Sequence, residues 1–343
     1  MPHKPSPSPP TLPPFRERAP WLGGDLQTLR NIIVGGPPEL PGGERLLLAM
    51  PDGDRLAARL DRPAADSGAP LIVLTHGLAG SESSRHGMAT ARYLVSQGWP
   101  VLRLNLRGAA PSRATSGGRY HAGKTEDLVA ALRGLPAERV SRGIVLIGNS
   151  LGGNLVLKFI GEGGHGMPVL AAVAVSTPID LAASCARLMA PRNFVYHRYM
   201  LNEMKREALA PSAALTTAER TAIAGARTLY EFDDRFVAPH FGYRGAPDYY
   251  ESNAAKNFLA GATLPTLILH ALDDPWVPAE SYAAIDWSNL PMIETALTQG
   301  GGHMGFHGVG SLTPWHDRAT AHWLRQKGLG PLTHVRDEVR PPQ

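Results

Sequence analysis

The feature that most restricts how this chain can fold is a series of short, unbroken apolar runs with amphipathic stretches between them. Leu71–Thr75 ends at His76-Gly77, Val101–Asn105 leads into Leu106-Arg107-Gly108, and Ile144–Ile147 ends at Gly148; Val169–Val175 and Thr266–His270 follow. None of these runs alternates apolar with polar residues, and strands covered on both faces read this way. Helical patterns fall between them, at about 86–97, 124–134 and 151–161. Strand alternating with helix specifies an α/β fold with a mostly parallel, doubly wound sheet. Right-handed crossovers bring the C-terminal ends of such strands to one edge, where ligands bind.

Two departures from this alternation organise the rest of the chain. Residues 44–50 and 54–60 flank Pro51-Asp52-Gly53 and read as a hairpin. Between about 178 and 258 there is helical periodicity, several prolines and no buried-strand run, so this stretch reads as a helical cap inserted over the sheet edge. Within it Tyr196, Met200 and Met204 fall at i, i+4 and i+8 on one helix face. Such a stripe packs a cap onto the core; it also suits the lining of an acyl pocket, because methionine adapts to variable chains. The two readings are compatible. Residues 1–14 are rich in Pro and Ser and read as a disordered tail, leaving one α/β domain over 15–328 and a second tail over 329–343.

Charge and cysteine content narrow the classes of partner. The chain has 34 basic and 30 acidic residues, a net charge of +4, and its basic residues are scattered rather than gathered in a stripe. That pattern argues against a nucleic-acid partner, while a transient contact with a membrane surface stays open. Cys185 is the only cysteine, so neither an internal disulfide nor a cysteine zinc site can form. This suits a reducing compartment, and a cytoplasmic location is the expectation. Met1–Pro14 lacks the apolar run of a secretory signal, and no apolar stretch approaches the length of a transmembrane helix. Pro2 and the Arg-Pro-Pro-Gln end carry no myristoylation or prenylation signal. Oligomeric state has no signature in the sequence.

Chemistry enters at Gly148-Asn149-Ser150-Leu151-Gly152, a G-x-S-x-G pattern set between an apolar strand and a helix. The motif alone is weak, but strand–turn–helix is the setting it requires, with Ser150 held out at the sheet edge on a strained turn. A serine hydroxyl needs a base, which must come from elsewhere in the chain. His303 follows Gly300-Gly301-Gly302 beyond the expected last strand at 291–297, with His307 as its rival. His303 and His307 also have a metal-like i, i+4 spacing, but Gly305 and Gly308 argue against a helix and no adjoining Glu completes a zinc motif, so no metal site is expected. A carboxylate should orient the imidazole. Asp274, just before Pro275-Trp276-Val277-Pro278, is the choice, with Asp273 as the alternate. The oxyanion would be held by the backbone N–H of Leu151 and of Leu78 in His76-Gly77-Leu78-Ala79-Gly80, where His76 shapes the loop.

Taken together, His76-Gly77-Leu78, Asn105-Leu106-Arg107-Gly108, Tyr120 to Asp127, the Ser150 turn, Asp273-Asp274-Pro275 and Gly301-Gly302-His303 resemble the YheT-like branch of the α/β-hydrolases. That branch also holds the eukaryotic ABHD1/2/3-type lipid hydrolases and the yeast ethyl-ester synthases/esterases. Trp21 to Leu29 is similar to the family's opening segment and Asp248-Tyr249-Tyr250 to the end of its cap, so the likeness runs from about 15 to 326. The resemblance implies an α/β-hydrolase fold and cofactor-free hydrolysis of a small-molecule acyl ester by Ser150, Asp274 and His303; it favours Asp274 over Asp273. The family's Cys-x-Gly after the Arg-Gly pair is replaced here by Ala109-Ala110-Pro111, and Arg107 reads as a loop organiser. Two other functions share the same residues: acyl transfer to an alcohol, and a non-catalytic binding scaffold. Acyl chain length, head group and stereochemistry are not encoded in any motif, and Met200 and Met204 are the candidate substrate-binding residues.

Overall fold

The computed structural model of the chain describes residues 11–210 and 215–332. The expected tails therefore lie outside the described residues up to residue 10 and beyond residue 332. Their inner ends are packed: Trp315 Nε1 donates to Pro13 O at 2.6 Å, and the Leu332 N–H to Ser67 O at 2.8 Å. Leu12 and Leu329 pack against the core there.

Among the described residues eight strands form one sheet. They are β1 (Glu44–Ala49), β2 (Arg55–Asp61), β3 (Leu71–Thr75), β4 (Val101–Leu104), β5 (Ile144–Asn149), β6 (Val169–Val175), β7 (Thr266–Ala271) and β8 (Ile293–Thr298). Their order is β1-β2-β4-β3-β5-β6-β7-β8. The hairpin β1–β2 is antiparallel and joins β4 antiparallel; every other pairing is parallel. This is the α/β-hydrolase architecture. The second apolar run stops one residue early, at Leu104, because the Asn105 side chain turns inward to bond Ala57 O and Glu82.

The labelled helices are α1 (Gly24–Val34), α2 (Arg85–Ser96), α3 (Thr125–Arg133), α4 (Leu151–Gly161), α5 (Leu181–Met189), α6 (Phe194–Ala208), α7 (Thr217–Gly225), α8 (Ala246–Asn253) and α9 (Trp315–Gln326). The strand sequences explain why both faces of the sheet are covered. In β3, Leu71 and Val73 enter a core with Leu128 of α3 and Val156 and Phe159 of α4. Ile72 and Leu74 enter the opposite core with Leu94 of α2 and Trp323 of α9. Each such side chain fully buried contributes about 1.5–3 kcal/mol, which is why the run is apolar from Leu71 to Leu74. Between β6 and β7 the described residues form helices and no strand, with a separate core that includes Leu201, Phe232 and Tyr249.

One buried ion pair sits directly behind the future site. Arg103 of β4 donates from Nε to Asp61 Oδ2 at 2.7 Å and from a terminal nitrogen to Glu82 O at 2.7 Å. Both charged side chains are essentially sealed from solvent. Removing one partner would strand the other charge, a change that typically costs about 3–5 kcal/mol. Because Glu82 belongs to the loop after β3, this pair ties that loop to the sheet.

Candidate active site

Ser150 closes β5 and opens α4, at φ 52° and ψ −121°. A non-glycine residue in this region is strained, and the surroundings must hold it there. They do so by close approach. A Cβ on Gly152 would lie 2.6 Å from His76 O, and one on Gly77 would lie 3.0 Å from Ser150 Cβ. Glycine at both positions lets the loop after β3 press against the turn, while the Ser150 N–H donates to Val175 O at 2.8 Å.

Three remote side chains meet in one hydrogen-bonded row. Ser150 Oγ lies 3.0 Å from His303 Nε2, and His303 Nδ1 lies 2.8 Å from Asp274 Oδ2. The other carboxylate oxygen, Asp274 Oδ1, accepts the N–H groups of Trp276 at 2.8 Å and Val277 at 3.0 Å. Burial alone would raise the Asp274 carboxyl, but His303, His270 and the Trp276 N–H hold it below its ordinary range. Trp276 also stacks on the imidazole, with ring centroids 4.3 Å apart. Asp273 points elsewhere: its Oδ1 accepts the Gly302 N–H at 2.9 Å, so it ties down the histidine loop from behind. His307, the rival base, is buried and its backbone is bound by Gln27.

Residues of α1 form the back wall of that loop, a role no motif announced. The His303 N–H donates to Thr28 Oγ1 at 2.8 Å, and Thr28 in turn donates to Gly24 O at 2.6 Å. Gln27 donates to His307 O and accepts the His307 N–H. The signal was present as Gln27, Thr28 and Asn31 set among the apolar residues of a helix, yet it could not be assigned to an inward face.

The loop after β3 faces the serine from the other side. His76 Nε2 accepts the Leu106 N–H at 3.1 Å, which leaves the proton on Nδ1, 2.8 Å from Gly77 O. Burial pulls its pKa down to about 4, so it stays neutral and shapes the loop. Leu78 and Leu151 both line the cavity above Ser150, and neither backbone N–H meets an acceptor among the described residues. Ala79 sits at φ 53° and its N–H donates to Tyr120 Oη at 2.8 Å; Tyr120 donates on to Glu207 Oε2 of α6 at 3.0 Å. Tyr120 thus bridges the loop and the cap helix. Arg107 is engaged by Asp127 through two bonds of 2.9 and 2.7 Å and by Asp52 at 2.7 Å, outside the main cavity.

A cavity of about 450 Å³ opens over Ser150 and His303. Its cap side is apolar, with Leu181, Leu188, Met200, Met204 and Leu229. Tyr196 is not part of it. Over eight residues a helix turns by about 80° beyond two full revolutions, so Tyr196 faces Trp276 and Asp25 instead. Asp233, on a π-helical turn of the cap (Asp233–Val237), also lines the cavity and accepts the Tyr250 hydroxyl at 2.6 Å; burial pushes its pKa up to about 7. Among the described residues no group of three or more His, Cys, Asp or Glu is gathered where a metal ion could be held. No helix among them is long and apolar enough to cross a membrane.

Comparison with known proteins places this geometry in context. A family described as alpha/beta hydrolase fold matches residues 70–308. The Escherichia coli (strain K12) protein named "Putative esterase YheT" is 34% identical over 283 residues, which cover 81% of this chain and 83% of that protein. Human "Phospholipase ABHD3" is 25% identical over 83% of this chain and 71% of its own. Among solved structures, an esterase of Pyrococcus furiosus, Pf2001, shares the fold with a TM-score of 0.56 at 18% identity, covering 85% of this chain and 97% of that one.

Proposed function

This chain belongs to the YheT-like branch of the α/β-hydrolase family, and on that premise we propose that it cleaves carboxylic esters of acyl or lipid type through an acyl-enzyme on Ser150. The observation that carries the reading is the continuous row Ser150 Oγ–His303–Asp274, at 3.0 and 2.8 Å, on the floor of a largely apolar cavity. Ser150 Oγ attacks the ester carbonyl while His303 Nε2 takes its proton. The carbonyl oxygen becomes negative, and the N–H groups of Leu78 and Leu151 hold it, the latter helped by the N-terminal dipole of α4. His303 then protonates the departing alkoxide, and the same base activates water to release the acid. Asp274 keeps the imidazole in the tautomer with Nδ1 protonated. Met200 and Met204 hold the substrate's apolar part, in keeping with the phospholipase among its relatives.

The test is turnover of a graded series of p-nitrophenyl esters by the purified chain, together with labelling by a fluorophosphonate and mapping of the modified peptide. Hydrolysis with the label on Ser150 is expected. A chain that turns over no ester and takes no label at Ser150 would be a binding scaffold instead. Added alcohol in the same assay separates hydrolysis from acyl transfer by the product formed.

The Tyr120 bridge makes a separate prediction about this reaction. Tyr120→Phe removes the acceptor for the Ala79 N–H and frees the loop that carries Leu78. Misplacing an oxyanion donor by a fraction of its bond length is expected to lower kcat by about 10- to 100-fold. KM should change little, since the tyrosine hydroxyl is spent on the loop and on Glu207. A Michaelis–Menten comparison in which KM rises and kcat holds would assign Tyr120 to substrate binding rather than to the loop.

A further inference from the structure

Helix α1 is folded inside out. Its buried residues are Gln27, Thr28 and Asn31, all polar. Four of its apolar residues face solvent, Leu26, Ile32, Ile33 and Val34, with Ile33 62% accessible. A surface helix of a soluble protein normally turns its apolar stripe to the core. The inward polarity has an explanation: Gln27 and Thr28 bind the backbone of the histidine loop, and Asn31 Nδ2 meets His86 Nδ1 at 2.9 Å. Nothing within the described chain explains the outward face.

That face continues onto the cap. At the start of α6, Phe194, Val195 and Tyr199 are exposed, Val195 to 77%. The two helices are tied together through Asp25, which accepts from Arg192 at 2.8 Å and from Tyr196 at 3.0 Å. Ile32 of α1 and Tyr199 of α6 also line the cavity that holds Ser150. The apolar surface is therefore a collar at the cavity mouth, not a scatter of isolated side chains, and patches of this kind mark contact sites. Its net charge is positive: residues 21–35 and 191–200 carry Arg30, Arg192 and Arg198 against Asp25, which pairs with Arg192. Leu26, Arg30 and Ile33 share one stripe of α1, and Val195, Arg198 and Tyr199 one stripe of α6.

We propose that α1 and the start of α6 form a docking collar for a lipid–water interface bearing anionic head groups, from which an ester enters the cavity between Ile32 and Tyr199. Apolar side chains set among arginines are the pattern of an interfacial helix, where burial and attraction to anionic lipid act together. The purpose of docking rests on the ester-hydrolase reading; the docking itself does not.

The experiment is co-sedimentation of the full chain with vesicles of phosphatidylcholine mixed with phosphatidylglycerol, and with vesicles of phosphatidylcholine alone. Binding to the mixed vesicles is expected, weakened by salt but not abolished. The double change Ile33→Ser/Val195→Ser should reduce the bound fraction at least about 10-fold. A second pair, Leu26→Ser/Phe194→Ser, should act alike and answers the question if the first fails to fold. None of these four side chains lines the cavity. The proposal is overturned if the native chain stays in the supernatant with both vesicle types, or if both variants bind as it does. It is also overturned if light scattering shows a native dimer that the substitutions split, which would assign the collar to a second copy. Sedimentation needs no turnover, so a chain that binds vesicles but cleaves no ester overturns the hydrolase reading alone.

Discussion

Ser150→Ala is expected to lower kcat for ester hydrolysis by about 10⁵- to 10⁶-fold, with the folded state intact. The loss is that large because alanine leaves His303 no proton to take and the carbonyl no nucleophile to meet. What remains is the catalysis that oxyanion donors and binding supply by themselves. The fold should be unaffected for a local reason. Alanine keeps the Cβ of the turn at φ 52°, so the strain there is neither relieved nor increased, and the Ser150 N–H bond to Val175 O does not involve the side chain. The check is p-nitrophenyl ester turnover beside a thermal melt. Activity close to native with an unchanged melt would remove Ser150 from the reaction.

The second large effect is expected for Asp274→Asn, about 10⁴-fold in kcat, and the structure says why an isosteric change should do so much. Asp274 Oδ1 accepts two backbone N–H groups, from Trp276 and Val277. An asparagine must place its carbonyl oxygen there, because an amide NH₂ cannot face two donors. Its NH₂ then points at His303 Nδ1, which becomes an acceptor, and the ring proton moves to Nε2. An Nε2 that already carries a proton cannot take one from Ser150. The matched change Asp273→Asn keeps a carbonyl for the Gly302 N–H and should cost far less. The measurement is kcat at saturating ester together with the rate of fluorophosphonate labelling. Equal losses for the two variants would show that the carboxylates act only through loop structure.

These effects share a mechanical basis. Each group of the proposed site is held by something outside itself: Ser150 by its strained turn, His303 by α1 and Trp276, the loop bearing Leu78 by the sheet and by Tyr120. The Tyr120–Glu207 link reaches the same cap helix that carries Met200 and Met204. A substrate that moves that helix therefore acts on the loop bearing Leu78, which is one route by which chain binding could reach the oxyanion donors.

How much of this was legible beforehand differs residue by residue. The sheet was visible because strands buried on both faces read as nearly continuous apolar runs, as those at 71–75, 144–147 and 266–270 do apart from Thr75, Thr266 and His270. The Ser150 turn was visible because a sharp strand-to-helix bend demands small residues at fixed offsets. The choice between Asp273 and Asp274 was not fully open to such reading: neighbours in sequence point in different directions, and only the turn decides which one meets His303. Tyr196 was misplaced with the methionines because spacing by four drifts around a helix.

The sequence by itself determined the parallel sheet, its edge, and the candidate residue types standing along that edge, since buried periodicity and turn chemistry are local properties. Only the tertiary structure decided which carboxylate meets His303 and which face of α1 is turned toward the histidine loop. Periodicity states that a helix has two faces but not which one the rest of the chain will cover. That choice depends on contacts between segments hundreds of residues apart.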